Sequence, residues 1–382
     1  YRNGEGSCSH KSSGKAVDTE KGKNIMRIIQ ILPVIAFGDA IGNHVLALSD
    51  AFTRRGYKNK IYAEMVDSRI PRGKAEPIDY YKEQKGDVIL YHMSTGSPLN
   101  RKVLEYQAPK IMNYHNITPA HFFHGYLSVA EKGCIEARED LAYMAGKMDA
   151  CVSDSKYNQQ ELEELGYACP MTDIPILIAF DDYKKEPDAE TLQQYRDDDY
   201  TNIVFVGRVV PNKKQEDLIE AFYYYKKYYN PKSRLILVGS FAGVDTYGES
   251  LKVYADILGI KEDVIFTGQI SFPKILAYYR AADVFLCMSE HEGFCVPVVE
   301  AMYFGDPIIA YDSTAVGDTM GGGGILLKEK KPLETAGMID YLVNHAELKD
   351  KILANQKERL EAFSHERVEK AYMDFLQPFL QA

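Results

Sequence analysis

Tryptophan is absent from this chain of 382 residues, and no long apolar run is present. The longest candidate, IIQILPVIAF over residues 28–37, is interrupted by glutamine and proline and is too short to cross a bilayer as a helix. Cysteine is sparse. The six residues at positions 8, 134, 151, 169, 287 and 295 include no CxxC pair and no histidine at ligand spacing. That speaks against structural zinc and for a reducing compartment, with Cys151 and Cys287 set in apolar runs as core residues. A basic excess is also lacking. The net charge of −10 is the opposite of what a general nucleic-acid binder carries. The first glycine turn, FGDAIGNHV over residues 37–45, is not a GxGxxG fingerprint, so NAD binding is not supported. Residues 1–25 are polar, rich in Gly, Ser and Lys, and lack the apolar core of a secretory signal. They read as a tag or disordered leader, and Met26 reads as a natural start.

What is present is material for two cores, since 46% of the residues are hydrophobic and the length suits two domains. The charge is uneven. Lys and Arg number 17 against 19 Asp and Glu in residues 26–180, but 23 against 33 in residues 181–382. The near-neutral half carries the basic clusters RRGYKNK (54–60) and RIPRGK (69–74). Such clusters either touch an anionic surface or acceptor, or are solvated helix ends and loops.

From Met26 onward, short β-branched runs alternate with amphipathic segments. Strands are predicted at 27–33, 59–65, 87–93, 109–115 and 149–155, with a helix over 41–57 that stops at Gly56. The pattern restarts with strands at 201–207, 233–239, 263–268, 283–289 and 307–313 and a helix over 214–229. Nearly all-apolar strands alternating with helices indicate an α/β protein with two doubly wound parallel sheets. The expected division is residues 26–185 and 186–365, joined through the charged stretch 180–199. A C-terminal helix over about 366–382 is expected to pack back on the first half. Ligands of such sheets lie off the carboxyl ends of the strands, so the residues following each strand are the ones to search.

After the strand at 201–207 come Arg208 and Lys213, just before a helix. Free helix N–H groups and side-chain charge together make an anion site there. After the strand at 283–289 comes EHEGFCVPVVEAM, residues 290–302. Pro297 fits a first helical position, which places Glu292 in the loop and Glu300 in the first turn. Gly293, Phe294 and Cys295 sit where free amides can face an anion. Two carboxylates beside a phosphate site would repel it unless they hold sugar or ribose hydroxyls. The turn TAVGDTMGGGGILL (314–327) suggests backbone close to a ligand, or merely a flexible loop. In the first half, histidines close two strands, at His92 and His115. RDDDY (196–200) invites a metal reading, but its aspartates fall in the linker, and solvation is the reading adopted.

The combination strand–GR–x4–K–helix, then EGF–x5–E, then a Gly-rich turn, resembles glycosyltransferase family 4, the retaining GT-B group. The resemblance runs from about Met26 to the C-terminus. It implies a GT-B fold, two Rossmann-like domains facing an interdomain cleft. It assigns the donor diphosphate to Arg208 and Lys213, the donor sugar to Glu292, and the ribose to Glu300. It brings the amides of Gly293, Phe294 and Cys295 near phosphate and sugar, sets His115 by the reacting centre, and sets Gly38 in a glycine turn near donor and acceptor.

The implied activity is retaining transfer of a hexosyl group from a GDP- or UDP-sugar to a glycan or lipid-linked acceptor. No metal, no further cofactor and no nucleic acid are expected. Family habit suggests a cytoplasmic enzyme of surface-glycan synthesis, with peripheral membrane contact through the N-terminal half left open. Three positions depart from the pattern: Lys214 stands where glycine is common, Gly317-Asp318 stands in place of Pro-Glu, and Cys295 where a small residue is common. They leave the choice of sugar open. A sugar-nucleotide epimerase and a non-catalytic partner subunit remain as alternatives.

Overall fold

The computed structural model describes residues 26–381; the predicted leader, with Cys8, and the last residue lie outside the described residues. Two parallel sheets organise the chain. The first contains β1 (Arg27–Ile35), β2 (Lys58–Val66), β3 (Glu76–Pro77), β4 (Asp87–Met93), β5 (Lys110–Tyr114), β6 (Ala150–Ser153) and β7 (Met171–Asp173). The second contains β8 (Thr201–Val206), β9 (Ser233–Val238), β10 (Val264–Gly268), β11 (Val284–Cys287), β12 (Ile308–Tyr311) and β13 (Ile325–Leu327). The ten strands read from the sequence are all present. The three it did not give, β3, β7 and β13, have two or three residues, too few to show a pattern.

The orders are β3-β2-β1-β4-β5-β6-β7 and β10-β9-β8-β11-β12-β13. In the first sheet β1 lies between β2 and β4, with Ile29 opposite both Lys60 and Ile89. In the second, β8 lies between β9 and β11, with Val204 opposite Ile236 and Phe285. Strand order reverses at these two places, so the crevices open after β1 and β4 and after β8 and β11. Central strands such as β4 and β8 are buried along their whole length, which is why they read as unbroken apolar runs.

The last helix, His365–Leu380, returns to the first sheet. Its Val368, Tyr372 and Leu376, four residues apart, share one core with Ile28, Phe52 and Val88. Tyr372 also donates its hydroxyl to Asn113 Oδ1 at 2.5 Å. In the linker, Asp198 pairs with Arg234 at 2.7 Å and Asp199 with Lys232 at 3.4 Å. No described helix is long and apolar enough to cross a membrane.

Candidate active site

The ends of β8 and β11 converge. β8 stops at Gly207, and the chain turns there because β9 ends beside it. A Cβ on Gly239 would lie 1.9 Å from Gly207 O, so only glycine fits. Arg208 follows, exposed, and its guanidinium makes no hydrogen bond or ion pair among the described residues. Its carbonyl accepts from Gln215 Nε2 at 3.1 Å, which fixes the turn. Lys213 closes a short 3-10 turn, Pro211–Lys213, and aims its ammonium across to the β11 loop.

There Lys213 Nζ meets Glu292 Oε1 at 2.5 Å, with side-chain exposures of 16% and 8%. Burial, the largest single influence, would lower the Lys213 ammonium, but the charge and hydrogen bond of Glu292 together with the neighbouring thiols outweigh it and hold the pKa up. Glu292 is held from its backbone. Its N–H donates to Thr314 Oγ1 at 2.9 Å, and the same hydroxyl donates back to Glu292 O at 2.8 Å. Beyond it, the amides of Gly293, Phe294 and Cys295 donate to no protein acceptor among the described residues. Three unused N–H groups thus lie in the loop that the Lys213 ammonium reaches, and the free Arg208 guanidinium follows the neighbouring strand, a set of groups that suits an anion.

Glu300 differs from its sequence reading. The helix spans Val296–Phe304 with Pro297 in second place, so Glu300 is its fifth residue and lies past the first turn. Its two oxygens accept from Tyr183 OH and Tyr279 OH, both at 2.6 Å. Burial raises its pKa, and the two phenols pull it back. A carboxylate has about four lone-pair positions, so two remain for hydroxyls.

His115 follows β5 as expected, but its side chain is only 1% exposed. Nδ1 meets Asp154 Oδ2 at 2.7 Å and Nε2 meets His92 Nδ1 at 2.8 Å. Both ring nitrogens are engaged, so the imidazole is held inside a buried polar chain. The residue that reaches the opposite lobe is Asn116, in a left-handed conformation (φ 75°). Its Oδ1 accepts from His291 Nε2 at 2.6 Å. Burial and the Arg138 charge push the His291 pKa down to about 4, so that ring is neutral at pH 7. Ser155 Oγ donates to Gly293 O at 2.7 Å, a second link between lobes. Gly293 has no room for a side chain, since a Cβ would lie 2.5 Å from Asn116 Cβ. Gly38 occupies an exposed left-handed turn (φ 77°) after β1.

Packing limits Gly321, Gly323 and Gly324, while Gly322 stands in open space with a left-handed φ of 87°. A Cβ at Gly321 would strike the Arg359 guanidinium, and one at Gly324 would meet Ile308 O at 2.6 Å. These close approaches admit the helix Ala346–Leu360 and β12. The basic clusters are also largely spoken for. Lys60 pairs with Glu76, Arg69 with Asp67 and Lys74 with Asp50, at 2.6 to 2.7 Å. Thr314, Asn116, Ser155, Tyr183 and Tyr279 were not found by sequence reasoning. Their roles depend on contacts between distant segments, for which spacing gives no signal.

Two parallel doubly wound sheets with their crevices facing define a GT-B architecture, and solved structures agree. The Anabaena protein HepE in complex with UDP-glucose superposes with a TM-score of 0.72 at 18% identity, covering 92% of this chain and all of that one. Sucrose-phosphate synthase from Thermosynechococcus elongatus gives 0.73 at 18% identity, covering 94% and 100%. Residues 188–359, which hold Arg208, Lys213, Glu292 and Glu300, match the family model "Glycosyl transferases group 1". An uncharacterised glycosyltransferase of Methanocaldococcus jannaschii is 25% identical over 340 residues, 85% of this chain and 86% of its own. A GDP-mannose-dependent α-(1-6)-phosphatidylinositol monomannoside mannosyltransferase of Mycolicibacterium smegmatis is 27% identical over 194 residues, 48% of this chain and 50% of its own.

Proposed function

We propose that this chain transfers a hexosyl group, with retention, from a UDP- or GDP-sugar to a glycan or lipid-linked acceptor, without a metal. The observation that carries the reading is the Lys213 ammonium at Glu292 beside the unused amides of Gly293–Cys295, with Arg208 free at the end of the adjacent strand. In this reading the diphosphate lies against that set, Glu292 takes sugar hydroxyls and Glu300 takes the ribose. The acceptor oxygen bonds to the anomeric carbon as the bond to the diphosphate breaks. The acceptor proton passes to the departing phosphate oxygen on the same face. Charge developing on that phosphate is what the cations and amides stabilise. His115, with both nitrogens engaged, orients the crevice wall and takes no proton. The donor class is supported by HepE, described with UDP-glucose, and by the GDP-mannose-dependent relative.

The test is a thermal-shift panel of UDP, GDP and ADP, followed by the sugars of whichever nucleotide stabilises the protein. Incubation of the productive donor without acceptor, followed by NMR, should give slow release of free sugar. A changed sugar stereocentre would identify an epimerase instead. Activity that disappears with chelator and returns with manganese would overturn metal independence.

A further inference from the structure

Among the described residues two buried groups of three metal-capable side chains are present: His44, His92 and His115, and Cys287, Glu292 and Cys295. Within each group the ligand atoms lie within 4.8 Å of one another. The histidines are committed elsewhere. His44 Nδ1 accepts from Leu177 N–H at 2.9 Å and Nε2 meets Tyr372 OH at 3.1 Å. His92 and His115 bind each other, with Gln30 and Asp154 at the two ends. The second group is less occupied. Cys287 Sγ donates weakly to Ser289 Oγ at 3.4 Å, and its thiol lies beside that of Cys295. Among the described residues only Lys213 donates to the Glu292 carboxylate.

We propose that Cys287, Glu292 and Cys295 form a site for a thiophilic divalent cation of the zinc or cadmium type, and that its occupation blocks the sugar side of the donor crevice. The first half rests on the ligand geometry, and the second on the proposed role of Glu292.

Two thiolates and a carboxylate suit a borderline-soft cation and leave its fourth position open. The three groups are held in place before any ion arrives. Cys287 is the last residue of β11, Cys295 caps the next helix in a left-handed conformation (φ 74°), and Thr314 clamps the Glu292 backbone. Charge balances as well. Without the ion, two neutral thiols sit beside the Glu292–Lys213 pair. With it, both thiols release their protons to solvent, and two thiolates plus one carboxylate offset the divalent ion and the Lys213 ammonium. Neither state buries a net charge, which is the usual obstacle to an ion in such a place. A carboxylate held by the ion can no longer accept sugar hydroxyls.

The full chain, reduced and freed of metal, is titrated with Cd2+ alone. One thiolate–cadmium charge-transfer band should saturate at one equivalent, with two protons released per ion read by an indicator dye. Cys295→Ser and Cys295→Gly should lose the band, the glycine variant also relieving the left-handed backbone. Cys169→Ser, at the separate contact between Cys151 and Cys169 (3.6 Å), should keep it. Folding of each variant is checked by its thermal melt. Absence of the band in fully reduced wild type, or its persistence in a folded Cys295→Ser, overturns the site. A nucleotide-sugar that stabilises the protein should raise the Cd2+ needed for half-saturation at least tenfold, and the bare nucleotide should raise it less. A band indifferent to that sugar keeps the metal site and removes Glu292 from the donor sugar. Normal donor binding with no band does the reverse.

Discussion

Lys213 Nζ reaches Glu292 Oε1 across 2.5 Å although 79 residues separate them. The pair joins the ends of two adjacent strands at the switch point of the second sheet. It therefore serves stability and the proposed anion site together, whereas Arg208, without a partner, serves only the second.

That difference separates two substitutions. Arg208→Ala should leave stability within about 0.5 kcal/mol of wild type. It should weaken UDP or GDP binding at least tenfold, consistent with loss of a charged hydrogen bond worth about 1.5–3 kcal/mol. Lys213→Met should weaken nucleotide binding and also cost about 3 kcal/mol of stability, because it leaves Glu292 buried without its cation. Denaturant melts and titration calorimetry measure both. Unchanged nucleotide affinity in Arg208→Ala would remove Arg208 from the site.

Gly293→Ala should act on the lobes rather than on either core. The added methyl would lie 2.5 Å from Asn116 Cβ and 2.9 Å from His115 O, while the bond from Ser155 to Gly293 O holds the same surfaces together. The lobes must part or the β11 loop must shift. A larger radius of gyration by small-angle scattering is expected, with a melting temperature within a few degrees of wild type. An unchanged radius together with full activity would contradict the contact.

Asp306 gives a pH signature. Its Oδ2 and Gln356 Oε1 are buried acceptors without donors, and burial raises the Asp306 pKa well above 3.8. A raised acid pKa means that the folded state binds the proton more tightly. Its contribution is complete below pH 3.8 and is lost as pH rises through the folded value, with a slope of about 1.4 kcal/mol per pH unit. Asp306→Asn supplies a donor and no charge. Its stability relative to wild type should rise across that window and level off above it. Parallel curves for the two proteins between pH 4 and 8 would refute the assignment.

His115 and Asp154 should behave as supports of the crevice wall. His115→Phe and Asp154→Asn each break a buried polar chain and should cost about 1–3 kcal/mol in denaturant melts. Nucleotide binding by whatever fraction remains folded should be within threefold of wild type, because both side chains are buried and paired with each other. Loss of nucleotide affinity without loss of stability would place His115 in contact with ligand.

Both sheets were legible in the sequence because parallel strands buried on two faces must be apolar throughout, and the runs from β1 to β12 say so. Edge strands β3, β7 and β13 were not, since two or three residues carry no period. The anion-binding set was legible in part. Arg208, Lys213 and Glu292 follow strands directly, and a strand end fixes where its next few residues go. His115 illustrates the limit. Its position after β5 could be read, but the direction of its ring is set by Asp154, which follows β6, and His92, which lies in β4.

The sequence alone therefore determined the alternation of elements, the two parallel sheets and the strand-end residues, because these depend on local period and neighbouring chain. Tertiary structure alone decided which of those residues meet. It paired Lys213 with Glu292, gave Glu300 its two tyrosines and set Cys287, Glu292 and Cys295 around one point. It also set Gly321 against Arg359 and Gly324 against Ile308. Each of these is a contact between segments far apart in the chain, settled by how the helices and loops close over the sheets.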